Sequence, residues 1–252
     1  MTGWKTEVSD IKHEKEKKDI NWYTGFIPLL VIVITGLVHG FVGNPVSKVI
    51  AGKTFDKYIN EKYPGCIYED CSYDFTCNGY VAIITSPDNP DIRVILKTDT
   101  LGTKITGDNY AAAVEGGWNT SRRLNEEYTQ LLNSMVGEEI LGYEIYSLKG
   151  YFVDDETTAK ATLKEGPLVP GGVYDVYRLS ETDGDIVIRV AAPGADKTVA
   201  VHIFTEMKRV LLESSLKFDT ATVCIGADND CWPYIVELTG ILYDGSNLPE
   251  AQ

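Results

Sequence analysis

Histidine is scarce in this sequence. The 252-residue chain has three, at His13, His39 and His202. The first two lie beside or inside an apolar segment, so a His-based zinc centre or triad would rest on His202 alone. Basic residues are also in deficit: 23 Lys and Arg against 37 Asp and Glu give a net charge of -14. A surface of that sign repels phosphate backbones, which argues against nucleic acid as a partner. The five cysteines contain no C-x-x-C, which removes zinc-ribbon and thioredoxin readings. There is no G-x-S-x-G elbow and no Gly-rich phosphate loop. With 24% charged and 44% hydrophobic residues, the chain is neither disordered nor polytopic. No catalytic, cofactor-binding or metal-ligating residue is assigned from the sequence.

What is present is one long apolar run. Residues 22–42 contain no Asp, Glu, Lys or Arg. As a helix they would rise roughly 30 Å, the thickness of a bilayer's hydrocarbon core. Trp22 and Tyr23 open the run as interfacial aromatics do. A buried soluble helix is the alternative, but the run is apolar all round rather than on one face. A cleaved signal peptide fits less well. The preceding 21 residues mix Lys5, Lys12, Lys15, Lys17 and Lys18 with five acids, and Val38 and Gly40 make a poor cleavage site. An uncleaved single-pass anchor is expected, with a charged tail at 1–21 and the span at 22–43.

Lysines flank both ends of the run, so the positive-inside count barely discriminates. Residues 1–43 sum to zero charge, so the body from Asn44 onward carries the whole -14, and all five cysteines. The tail is read as cytoplasmic and the body as extracytoplasmic. Gly36 and Gly40 form a G-x-x-x-G that would support a homodimer through close helix approach, although Gly is common in membrane helices.

The body reads as two small α+β domains with antiparallel sheets, at 44–140 and 141–252. Pro45 opens a helix that Pro64 stops, with Val46, Val49, Ile50, Phe55, Tyr58 and Ile59 as its apolar face. Strands follow at 71–75, 80–85 and 92–97, with a short fourth near 104–106, and Asn78-Gly79 marks a hairpin. Leu124, Tyr128, Leu131, Leu132 and Met135 form one stripe of a second helix that Asn119 or Thr120 would cap and Gly137 would end. Arg122 with Glu126 and Arg123 with Glu127 are spaced for ion pairs. Beyond, strand composition over 143–153 leads to an acidic, then Gly- and Pro-rich loop at 154–172. Residues 174–179 suit a short helix or a strand. A strand at 185–191, a helix at 199–212 and strands at 218–225 and 234–243 complete the second domain.

The run Val42-Gly43-Asn44-Pro45-Val46-Ser47, then Gly79-Tyr80-Val81-Ala82, then Gly117-Trp118-Asn119-Thr120 with Arg122-Arg123-Leu124 and Glu126-Glu127-Tyr128 resembles the YfjL-like proteins. The part around Asp185-Ile186-Val187-Ile188 and the helix after it resembles that family's C-terminal domain. The resemblance implies a membrane-anchored, two-domain protein of the Gram-positive bacterial envelope. Its motifs are packing and turn residues, and it implies no activity and no catalytic residue.

Few constellations are left for chemistry. Cys224 and Cys231 flank a turn between two strands and are candidates for a disulfide, with buried thiols as the alternative; Cys66, Cys71 and Cys77 cluster but leave one thiol odd. Acidic runs at 69–70, 154–156, 183–185 and 228–230 match no twelve-residue calcium loop and read as solvated charge. Trp118, Asn119, Arg122 and Arg123 form the most concentrated distinctive group. They read as a structural corner, with anion or carboxylate reception as the alternative. The expected function is that of a single-pass anchored envelope protein whose outer body binds a protein or envelope component. A carboxylate-dependent hydrolase and a membrane sensor are the rivals.

Overall fold

The computed structural model describes residues 26–34, 43–153, 160–214, 216–227 and 231–239. Helix α1 covers residues 26–34, and every side chain in it is exposed. Among the described residues no helix is long and apolar enough to cross a membrane. Residues 22–25 and 35–42 of the expected span, Gly36 and Gly40 included, lie outside the described residues, as do the acidic runs at 154–156 and 228–230.

The first unit is one helix on a four-stranded meander. Helix α2 (Pro45–Lys62) starts where Pro45 needs no N–H donor, and the Asn44 side chain accepts from the Val46 N–H at 2.9 Å. It packs on β1 (Cys71–Asp74), β2 (Gly79–Thr85), β3 (Arg93–Thr98) and β4 (Ile105–Asp108), antiparallel in that order. Period-two alternation turns Tyr80, Ala82 and Ile84 of β2, with Val94 and Leu96 of β3, into the core under the helix. Phe55 and Ile59 of the expected stripe face inward, but they are joined by Ser47 and Ala51, while Val46, Val49 and Ile50 face out. The reason is a close approach. Gly102 presses so near that a Cβ there would lie 2.6 Å from the Ala51 nitrogen and 2.7 Å from the Ser47 carbonyl, which only small residues tolerate.

A π turn (Ala111–Glu115) leads to the second unit. Helix α3 (Trp118–Val136) begins at Gly117 in the left-handed region (φ 75°), with no side-chain cap. Asn119 and Thr120, the expected caps, lie inside the first turn instead. Gly137 ends the helix as expected. The second sheet runs β11-β10-β9-β6-β5. It comprises β5 (Glu139–Ile140), β6 (Tyr143–Tyr151), β9 (Asp185–Ala191), β10 (Thr220–Ala227) and β11 (Cys231–Thr239), with a separate small hairpin of β7 (Thr162–Leu163) and β8 (Gly166–Pro167) and a short helix α4 (Val176–Asp183) between β8 and β9.

The sheet is not wholly antiparallel: β9 and β10 are parallel, Asp185 to Ala191 against Thr220 to Gly226. That pairing requires a crossover, which α5 (Lys197–Glu213) supplies. The two cores also divide the chain earlier than the boundary near residue 140. Leu124, Tyr128 and Leu132 of α3 belong to the second core, together with Ile186, Ile188 and Val190 of β9 and Ile203, Met207 and Leu211 of α5. Gly150 of β6 makes room for α3: a Cβ there would lie 2.3 Å from the Tyr128 ring. The first core closes with Ala113 and Val114.

Four cysteines are free thiols. Cys66, Cys71, Cys77 and Cys224 are all unbridged, so the 224–231 disulfide is not formed. The hairpin register explains this. Cys224 pairs with Ile235 and Cys231 with Ala227, which sets the two cysteines roughly 10 Å apart along the ladder, beyond disulfide reach.

Candidate functional site

Three polar constellations stand out. The first joins the two units. Asp91, in the turn before β3, is 0% exposed. Arg123 of α3 donates to it with two nitrogens, Nε to Oδ1 at 2.7 Å and Nη2 to Oδ2 at 3.1 Å. Oδ2 also accepts from Thr120 Oγ1 at 2.9 Å and from the Gly171 N–H at 2.7 Å. Arg123 in turn reaches Glu127 at 3.0 Å and the Gly172 carbonyl at 2.9 Å, while Asn119 Nδ2 donates to the backbone carbonyls of Asp91 and Arg93. The helix brings this set together because residues three and four apart share a face.

Burial pushes the Asp91 carboxyl upward, but Arg123, the Gly171 N–H and Thr120 outweigh it and hold the group below its ordinary range. Asp91 in turn raises Arg123. Both oxygens are hydrogen-bonded and the residue is fully buried, so the carboxylate is closed off from a substrate. Among the described residues no buried side-chain nitrogen or oxygen lacks a partner.

The second constellation closes the end of α2 onto β4. Asp108 Oδ2 accepts from Tyr58 at 2.7 Å, Tyr63 at 2.6 Å and Lys62 at 2.7 Å, and Oδ1 from the Tyr110 N–H at 2.9 Å. Tyr63 stacks on Tyr110 with ring centroids 4.8 Å apart. Desolvation opposes ionisation of Asp108, yet Lys62 and the phenols bring it down to about 2. It stays a carboxylate throughout the physiological range and cannot serve as a proton donor there.

The third is an open groove of about 440 Å³ lined by Lys48, Val49, Gly52, Asp56, Tyr68, Glu69, Asp70 and Cys71. Lys48 and Asp70 pair across it at 2.7 Å. Burial raises the Cys71 thiol, and Cys71 Sγ points to the Lys48 carbonyl at 3.8 Å, so it is no thiolate nucleophile. Tyr68 is pushed up to about 12 by burial and by nearby Asp56. The Lys48 ammonium holds Asp70 below its ordinary range. The groove offers polar contacts for a ligand.

The distinctive group seen in the sequence thus resolves as a corner. Asn119 and Arg123 enter the Asp91 clasp, Trp118 packs against the second core, and Arg123 pairs with Glu127 at the expected spacing. His202 is exposed on α5, away from all three constellations. No group of His, Cys, Asp and Glu suited to hold a metal occurs among the described residues. Sequence reasoning missed Asp91 and Asp108. Both are acids at strand ends, and nothing local distinguishes them from solvated turn charges.

With that geometry in place, the family comparison is informative. Residues 16–109 match the family model described as YfjL-like, N-terminal domain. Over these residues the chain is similar to the N-terminal domain of the YfjL-like proteins. The match takes in α1, α2 and all four strands of the first sheet and stops one residue after β4. The matched segment thus covers most of the first structural unit and stops short of α3 and of Ala113 and Val114, which close its core. No curated protein and no solved structure matches the chain.

Proposed function

We propose that this YfjL-like protein is a single-pass membrane-anchored protein of the bacterial cell envelope whose extracytoplasmic body binds a protein or envelope component. The observation that carries the reading is the charge-free run of residues 22–42. Its described part, residues 26–34, is helical with every side chain exposed, as suits a helix solvated by lipid. The body adds an acidic surface and polar constellations that serve as clasps, which favours binding over turnover. Fractionation of cells expressing the full chain tests it. The protein should stay in the membrane pellet after an alkaline wash and move to the supernatant only with detergent; release by the wash alone would overturn the anchor. For the binding role, immobilised full-length protein in detergent should retain a discrete envelope component, and hydrolytic turnover without any retained component would favour the carboxylate hydrolase instead.

A further inference from the structure

The first sheet has two unlike ends. At one end lie the β2–β3 turn, Ser86-Pro87-Asp88-Asn89-Pro90, and the Asp91 clasp to the second unit. At the other lie the β1–β2 turn, the β3–β4 turn and the start of α2, and here the chain arrives from the apolar run. The arrival point is fixed. Gly43 is buried at φ 78°, where a Cβ would lie 2.7 Å from Tyr73 Cβ. The Tyr80 hydroxyl accepts from the Asn44 N–H at 2.9 Å and donates to the Asn44 carbonyl at 2.7 Å. The body is thus gripped within two residues of Val42.

Around this point apolar side chains face outward. Val46 is 66% exposed, Val49 61% and Ile50 38%, on one stripe of α2. Leu101, at the tip of the β3–β4 turn, is 61% exposed beside Gly102, whose carbonyl accepts from Thr54 Oγ1 of α2 at 2.6 Å. Thr100 Oγ1 binds the Asn78 carbonyl at 2.8 Å, so the two turns are tied together. Three acids of this end are engaged locally: Asp74 accepts from Thr76, Asp99 from Thr103 and the Lys104 N–H, and Asp70 pairs with Lys48 in the groove that Val49 also lines, together with Asp56 and Glu69. An apolar rim facing away from the second unit, at the exit of a charge-free run, has the bilayer as its nearest apolar medium.

We infer that Val46, Val49, Ile50 and Leu101 seat in the headgroup layer of the bilayer, so that the body stands on the membrane in a fixed orientation. This rests on the anchored reading above. An interfacial apolar face of this kind sinks roughly 5–10 Å into the headgroup–acyl boundary. The test uses the full-length chain in phosphatidylcholine–phosphatidylglycerol vesicles, with a benzophenone amino acid placed singly at Ile32, Val49, Leu101 or Val173. All four positions are exposed, so the fold is undisturbed. Lipid adducts at Val49 and Leu101 comparable to those at Ile32, and about tenfold above Val173, are expected if the rim reaches that depth. Adducts at Ile32 with none at Val49 and Leu101 would overturn the rim while leaving the anchor intact. Cross-links from Leu101 or Val49 to a second copy of the chain would replace lipid by self-association. No adduct at Ile32 would remove the anchor, and the rim with it.

Discussion

The two units solve the same problem with different materials. Among the described residues the second core collects 24 buried apolar side chains, dominated by Ile, Leu, Val and Phe, with members on six strands and two long helices. The first core collects 12, and three of its members are Ala and two are Tyr. Apolar burial contributes about 25 cal/mol per Å² removed from water, so the smaller core starts with a deficit. It offsets this with hydrogen-bonded carboxylates. Asp108 gathers two phenols and an ammonium to pin α2 to β4, and Asp91 ties the unit to its neighbour.

The sharpest way to break that contrast is Asp91→Ala. It leaves the partly buried Arg123 without its main partner, and removing one member of a buried pair costs about 3–5 kcal/mol. Urea unfolding followed by tyrosine and tryptophan fluorescence should show that loss, with the first unit melting ahead of the second. The matching insult to the second unit is steric. Gly150→Ala forces a methyl into the Tyr128 ring, and overpacking of this kind costs up to about 3 kcal/mol. Here the second unit should melt first. An equal loss in both units for either variant would mean that they unfold as one body.

Acid sharpens the comparison further. The Asp108 carboxyl lies at about 2 when folded, below its ordinary value near 3.8. A depressed carboxyl lends stability that is complete above the unfolded value and is lost as pH falls through the folded one. The window is therefore about pH 4 down to 2, and the contribution about 2 kcal/mol. Unfolding free energies measured across that range should fall steeply in the wild type and less so in Asp108→Asn. The smallest effect belongs to the second core. Tyr128 donates to the Lys217 carbonyl at 2.9 Å, and Tyr128→Phe should cost about 1 kcal/mol in the same unfolding assay.

Periodicity made most elements legible. Helix α2, the meander, the strand at Asp185–Ala191 and helix α5 all appear within a few residues of where apolar spacing and turn residues put them. What escaped was set by distance along the chain. The stripe of α3 announces an amphipathic helix but not which sheet it covers. The inward face of α2 was decided by Gly102, about fifty residues away. Asp91 reads as a solvated turn acid because its partners stand 29, 32 and 80 positions downstream. The parallel pairing of β9 and β10 follows from α5 returning the chain in the same direction, which strand composition alone does not encode. The chemistry of the three constellations was illegible for the same reason, since each is assembled from separate turns.

That long reach has a consequence for biosynthesis. The first core is complete in sequence by Val114, but Gly171, which closes the Asp91 clasp, emerges 80 residues after Asp91 itself. At cellular elongation rates the gap is roughly 4–16 s. Thr120 and Arg123 emerge early in that interval, so the carboxylate meets its hydroxyl and guanidinium donors first and the Gly171 N–H seals the seam last.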